Sequence, residues 1–200
     1  MASWEREEEL LRQGFGTVGG CDEVGRGPLA GPVVAAIAVF DRGCIDLLAD
    51  SKALSAKKRL ALNKEIIAKC LSLGIGVVDN GVIDEINILN ATKLAMLKAW
   101  ENLRTKPGYL LVDALEPEAL VGRVKLEGII KGDSKSAAIA AASIVAKVYR
   151  DKLMAHYHRE YPQYNFIQNK GYPTREHFQA LKKYGPCPLH RQSFRGVADV

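Results

Sequence analysis

Asp22 and Glu23 stand side by side at the end of an extended segment, and the loop after them carries Gly25, Gly27 and Gly31 around a single Arg26. Neighbouring side chains of a strand point to opposite faces, so the two carboxylates cannot both face an apolar core without a large desolvation cost. A site at the strand's end, open to water and to a cation, removes that cost. Two further acids lie in comparable places: Asp113 closes the apolar run Tyr109-Leu110-Leu111-Val112, and Asp133 stands just ahead of an Ala-rich helical stretch. Functional groups of α/β sheets collect beyond the carboxyl ends of the strands, where acids distant in sequence can converge. Gathered there, four carboxylates would raise one another's pKa values unless cations were bound, and such a donor set prefers Mg2+ or Mn2+ to zinc. Taken singly, Asp113 and Asp133 also fit ordinary surface acids at a strand end and a helix cap.

The elements that must hold these residues follow from the hydrophobic pattern. Residues 3–13 form a short amphipathic helix ended near Gly14, and residues 17–23 a strand. Residues 33–40 (VVAAIAVF) are apolar throughout, which places this strand inside a sheet with both faces covered. Ser55 caps a helix expected to run to about Leu73 and to end at Gly74, with Leu60, Ile67, Cys70 and Leu71 on one side and Lys57, Lys58, Lys64 and Lys69 on the other. A third strand is expected at 75–79, a long helix at 82–103, strands at 109–113 and 124–130, a helix at 136–161 and a last helix from Thr174, its cap, to Lys183. The alanines at 137–142 let the fourth helix lie close to the sheet. The order predicts an α/β fold with a mixed five-stranded sheet and helices on both faces.

Two hundred residues at 48% hydrophobic and 26% charged suit one soluble globular domain. The apolar stretch 28–40 is too short to span a membrane and holds two prolines, and the acidic start MASWEREEE lacks a secretion signal, so a cytoplasmic protein is expected. Cys21, Cys44, Cys70 and Cys187 form no Cys-x-x-Cys pair and read as free thiols. His156 and His158, two apart on a helix, point to different sides and are expected at the surface. The net charge is +5, and from residue 161 onward Lys170, Arg175, Lys182, Lys183, Arg191 and Arg195 face only Glu176 and Asp199. That basic end suits an anionic partner, or is a solvated tail.

The stretch Cys21-Asp22-Glu23-Val24-Gly25-Arg26-Gly27-Pro28-Leu29-Ala30-Gly31-Pro32-Val33 resembles the opening motif of the bacterial ribonuclease HII family, the type 2 ribonucleases H. Later stretches resemble that family in the same order: Asp50-Ser51-Lys52, residues 83–89 (IDEINIL), Leu111-Val112-Asp113-Ala114, Lys131-Gly132-Asp133-Ser134-Lys135, residues 139–147, Gly171-Tyr172-Pro173-Thr174 and His190-Arg191-Gln192-Ser193-Phe194. The resemblance covers about residues 18–194. It implies a ribonuclease H-like fold in a single catalytic domain, of which residues 155–200 are a basic helical extension, acting as a monomer. It assigns metal ligation and catalysis to Asp22, Glu23 and Asp113, with Asp133 as the fourth acid. Two Mn2+ or Mg2+ ions, roughly 3.5–4 Å apart, would then hydrolyse a phosphodiester to 5′-phosphate and 3′-hydroxyl ends. The implied substrates are RNA:DNA hybrids and duplex DNA containing ribonucleotides, as in ribonucleotide excision repair and DNA replication. Gly25, Arg26 and Gly27 would act with Tyr172 to sense the 2′-hydroxyl that tells RNA from DNA. Ser51, Lys52, Asn87 and Lys135 would contact the backbones of the two strands. Pro173 departs from the family's usual glycine and restricts Tyr172 to extended conformations.

Gly25-x-Gly27-x-x-Ala30 also matches a dinucleotide-binding pattern, with Asp50 about twenty residues on. That pattern needs a helix to begin inside it, and here Gly31-Pro32 and a strand follow. A nucleic-acid binding module without catalysis, or a junction resolvase with a similar acidic cluster, are the other readings. The four acids argue against the first, and the Gly-Arg-Gly loop with Tyr172 against the second.

Overall fold

The computed structural model describes residues 2–41 and 55–199. Cys44, Ser51 and Lys52 lie outside the described residues. Five strands, β1 (Val18–Val24), β2 (Val33–Phe40), β3 (Ser72–Val78), β4 (Tyr109–Asp113) and β5 (Lys125–Ile129), form one sheet in the order β3-β2-β1-β4-β5. Pairs β1–β2 and β2–β3 are antiparallel, β1–β4 and β4–β5 parallel, which is the mixed sheet expected. The apolar run of β2 is buried on both faces: Val33, Ala35, Ile37 and Val39 pack toward α3 (Asn80–Glu101), and Val34, Ala36, Ala38 and Phe40 toward α2 (Ala56–Lys69) and α4 (Ala137–Glu160). The N-terminal helix α1 (Glu5–Arg12) adds Leu10 and Leu11 to a smaller cluster with Val18, Leu111 and Ile139. Among the described residues no helix is long and apolar enough to cross a membrane.

Small residues set how closely the helices lie on the sheet. A Cβ on Gly20 would overlap the backbone of Ala138, so the alanine-rich start of α4 rests directly on β1. Ser136 caps that helix by accepting from the Ile139 amide at 3.1 Å, as Ser55 caps α2 and Thr174 caps α6 (Arg175–Tyr184).

The expectation for α2 and β3 needs correction. The helix stops at Lys69, Cys70 is extended, and Gly74 lies inside β3 instead of capping a helix. Cβ atoms on Gly74 and Gly76 would strike the carbonyls of Ala99 and Ala95, so these glycines serve the packing of α3. The buried residues of α2 are Asn63 and Ile66, while Leu60, Ile67 and Leu71 are exposed. Helix α3 is also interrupted: Asn87 has φ +65° and its side-chain oxygen accepts from the amides of Leu89 and Asn90, restarting the helix as an internal cap. Cys21 and Cys187 are buried free thiols and Cys70 is half-buried.

The chain beyond α4 wraps back over the loop that follows β1. A turn at Pro162–Tyr164, the short helix α5 (Phe166–Asn169) and α6 enclose a third core in which Leu29 and Ala30 of that loop meet Met154, Tyr164, Phe166, Leu181 and Cys187.

Candidate active site

Strand pairing brings the first acids together. Cys21 lies opposite Val112 in the parallel pair β1–β4, which places Asp22 and Asp113 one residue further along at adjoining strand ends. Alternation then decides the faces: Cys21 and Val112 belong to the core under α3, so Asp22 and Asp113 turn toward α4 and Glu23 to the opposite side.

Asp22 is 6% exposed, and burial, with the charges of Glu23 and Asp113, pushes its carboxyl up to about 8. The Ser143 hydroxyl from α4 and the Glu23 amide, 2.7 Å away, hydrogen-bond to it and oppose that rise. Glu23 is raised by burial, opposed by Arg26, and raised again by the charge of Asp113. Its Oε1 accepts from Arg26 Nη1 at 3.2 Å, while its Oε2 is buried without a partner. Asp113 Oδ1 accepts from the Gly132 amide at 2.8 Å, which ties β4 to the turn Gly132–Ser134 where Asp133 stands exposed. Three acids are thus electrostatically coupled, with Asp133 on the adjoining turn. Among the described residues no group of three His, Cys, Asp or Glu side chains is arranged as it stands to hold a metal ion.

The donor chemistry fits a hard divalent cation. A buried, partnerless carboxylate oxygen on Glu23 and a carboxyl on Asp22 that resists ionisation are both relieved by positive charge supplied from outside the chain. The residues that could hold it are Asp22, Glu23 and Asp113.

The glycine loop is held from below by two arginines that the sequence reading left among surface cations or did not single out. Arg191, fully buried, donates to the carbonyls of Gly25 (2.6 Å), Arg26 (2.9 Å) and Gly31 (2.9 Å). Arg150 of α4, equally buried, donates to Pro32 (2.9 Å), Ala30 (3.2 Å) and Lys170 (2.9 Å). Burial lowers both, to about 9 and about 10, which leaves them charged at neutral pH. The expectation that Arg191 belongs to a solvated or nucleic-acid-facing tail is therefore wrong. Its charge is spent on the loop. Asp84 completes the clamp by accepting from the amides of Gln192 and Ser193, each at 2.9 Å. Nothing in the spacing of these residues signals a clamp, because their acceptors are backbone carbonyls.

Gly25 has φ +95°, and a Cβ there would collide with Arg150. Gly27 is different. It is exposed, its φ is ordinary, and a Cβ would meet only Tyr172 Cε1 at 3.7 Å, an unstrained contact. The fold requires glycine at 25 and not at 27. Tyr172 is 39% exposed beside Gly27, so residues far apart in sequence form one surface. Lys135 is exposed just before α4, and Asn87 is exposed at the α3 kink.

Comparison with known proteins agrees with this geometry. The family model of ribonuclease HII matches residues 19–197. The ribonuclease HII of Caldanaerobacter subterraneus subsp. tengcongensis is 52% identical over 189 residues, which cover 94% of this chain and 78% of that protein. That of Syntrophobacter fumaroxidans is 52% identical over 192 residues, covering 96% and 82%. The crystal structure of ribonuclease H2 from Pyrococcus horikoshii superposes with a TM-score of 0.78 at 27% identity, covering 92% of this chain and 96% of that one. Acids at adjoining strand ends, a clamped glycine loop and these matches along nearly the whole length lead to one conclusion: the chain is an enzyme of the ribonuclease HII family, the type 2 ribonucleases H.

Proposed function

We propose that this enzyme hydrolyses the RNA strand of RNA:DNA hybrids and incises on the 5′ side of ribonucleotides embedded in duplex DNA, leaving 5′-phosphate and 3′-hydroxyl ends. The observation that carries the reading is the join between the two halves of the site. Asp22 and Glu23 run directly into a loop whose open glycine, Gly27, lies against the half-exposed ring of Tyr172. A strand seated on Gly27 would have its phosphodiester beside the acids and its sugar beside the tyrosine.

Asp22, Glu23 and Asp113 would hold divalent cations, with Asp133 as the fourth acid. Held there, two Mn2+ or Mg2+ ions would supply an activated water and neutralise charge on the leaving 3′-oxygen. The chain's own residues do the rest. Ser143 and the Gly132 amide hold Asp22 and Asp113 on the face turned to α4. Arg26, whose side chain is 48% exposed, is free on its outer side to meet a phosphate. The Gly25–Gly27 backbone and Tyr172 form the place where a 2′-hydroxyl is read, the group that distinguishes RNA from DNA. Ser51, Lys52, Asn87 and Lys135 contact the strand backbones. The protein acts as a cytoplasmic, single-domain monomer.

The test is cleavage of a labelled DNA duplex carrying one ribonucleotide, beside an all-DNA control, with Mg2+, Mn2+ or EDTA. Metal-dependent incision 5′ of the ribonucleotide with the control intact is the expected result. A folded protein that leaves the ribonucleotide duplex uncut with either ion would sink the reading.

A further inference from the structure

Behind Tyr172 lie two fully buried histidines, His177 of α6 and His190, whose Nε2 atoms are 3.0 Å apart. Neither touches the acids, and sequence spacing does not pair them. The outer ends of this pair meet backbone groups, and the one at His177 has only a single role. His177 Nδ1 lies 2.9 Å from the Tyr172 carbonyl, which can only accept, so this nitrogen carries a hydrogen and Nε2 of the neutral ring is bare. At the other end, the Cys187 amide donates to His190 Nδ1 at 2.9 Å, so that nitrogen is bare and His190 Nε2 carries the hydrogen. The Cys187 carbonyl and thiol also lie 3.2 Å from the same nitrogen, but the amide makes the shorter contact and aims its hydrogen at Nδ1, which leaves no place there for a second hydrogen. The His177 end sets the direction and the shortest contact at the His190 end agrees with it: His190 Nε2–H donates to His177 Nε2.

We propose that His177 is a positioning residue for Tyr172, the last link of a one-way chain of hydrogen bonds from Cys187 through His190 and His177 to the Tyr172 carbonyl. The same His190 backbone bridges Ala30 of the glycine loop, and the Arg191 amide donates to Leu29 at 2.8 Å. The chain therefore ties the tyrosine to the loop it faces. Its effect on catalysis rests on the reading of Tyr172 as the ribose sensor; the hydrogen bonds themselves do not.

The direction of the chain requires both rings to be neutral. A proton added to either puts N–H against N–H, at the central contact or at the Cys187 amide. Around the rings stand Tyr164, with its ring centroid 4.8 Å from that of His190, Phe166 and the Cys187 thiol. Glu176, beside His177 on α6, accepts instead from Asn165, and Arg150 and Arg191 direct their guanidinium groups to the loop carbonyls. No carboxylate among these contacts stabilises a charged ring, and burial lowers both histidines.

Nitrogen-15 NMR of histidine-labelled protein at pH 7 tests the chain directly. The expected pattern is hydrogen on Nδ1 of His177 and on Nε2 of His190, and the reversed tautomers or a charged ring would overturn it. The functional arm compares His177→Asn, whose amide nitrogen can reach the Nδ1 position, with His177→Gln, whose amide reaches toward Nε2. Selectivity for the single-ribonucleotide duplex over a long hybrid should stay within about threefold in the first and fall about tenfold in the second, the worth of one hydrogen bond. Native selectivity should also decline as the histidines protonate on acidification, and the decline should vanish in His177→Asn. Equal losses in both variants would overturn the positioning role. If the native protein fails to incise single ribonucleotides, the functional reading falls, and the tautomer pattern decides the chain by itself.

Discussion

Beneath the glycine loop, Arg150 and Arg191 are as deeply buried as Asp22 is beside it, yet the two regions treat their charge in opposite ways. The arginines find carbonyls in Gly25, Arg26, Ala30, Gly31, Pro32 and Lys170, so the desolvated cations are answered within the chain. The acids repel one another, and Glu23 keeps a buried oxygen without a partner. One region is complete when the chain has folded; the other is completed by something the chain does not supply. Buried polar groups left unanswered are costly, and coupled acids that carry such a group beside a satisfied scaffold are what the proposed metal site would explain.

The largest effect should come from breaking the incomplete side. Asp113→Asn keeps an oxygen to accept from the Gly132 amide but removes a charge needed to bind cations. Cleavage should fall by about a thousandfold or more, while hybrid binding in a gel-shift assay changes little. Metal-free stability should rise slightly, because Asp22 and Glu23 lose a like-charged neighbour. Near-normal turnover in this variant would contradict the metal-holding role.

On the complete side, Arg191→Leu strands the carbonyls of Gly25, Arg26 and Gly31. Urea unfolding should show a loss of about 3 kcal/mol. Arg191→Lys should recover only part of it, because one ammonium cannot reproduce the fork. A loss under about 0.5 kcal/mol would mean that the loop holds its shape without the clamp.

The contrast also has opposite signs in pH. In EDTA, Asp22 with its folded value near 8 contributes stability that is present below pH 4 and is lost as pH rises toward 8. His190, lowered to about 4, contributes stability present above its ordinary value of 6.5 and lost as pH falls toward 4. Urea titrations at fixed pH should show both arms, the alkaline one the larger because Asp22 is shifted further than His190. Mn2+ should flatten the alkaline arm and leave the acid arm alone. An alkaline arm untouched by the metal would separate Asp22 from cation binding.

This difference between regions explains what could be read from the chain alone. The apolar run of β2 and the acids at strand ends are legible because alternation and strand polarity act through neighbours in sequence. The mixed five-stranded sheet and the meeting of Asp22 with Asp113 followed from them. Gly74 was misread because a glycine that admits α3 and a glycine that ends a helix look alike until the partner is known. Arg150, Arg191, Ser143 and the histidine pair were missed for a related reason. Their partners are backbone groups or residues remote in sequence, and a carbonyl leaves no mark in a residue pattern.

The smallest change sharpens the comparison at a single atom. Gly25 and Gly27 are equivalent in the sequence, but only Gly25 has a left-handed backbone and Arg150 where its Cβ would go. Gly25→Ala should therefore cost about 2–3 kcal/mol in urea unfolding and lower activity through the fold. Gly27→Ala should stay within about 0.5 kcal/mol of the native stability, since its methyl meets only Tyr172 at ordinary distance. If a nucleic-acid strand lies against residue 27, that same methyl occupies the strand's place, and cleavage of the single-ribonucleotide duplex should fall about tenfold or more in a protein that unfolds like the native one. Unchanged cleavage would move the substrate away from Gly27 and leave the acids without the strand that the loop is argued to deliver.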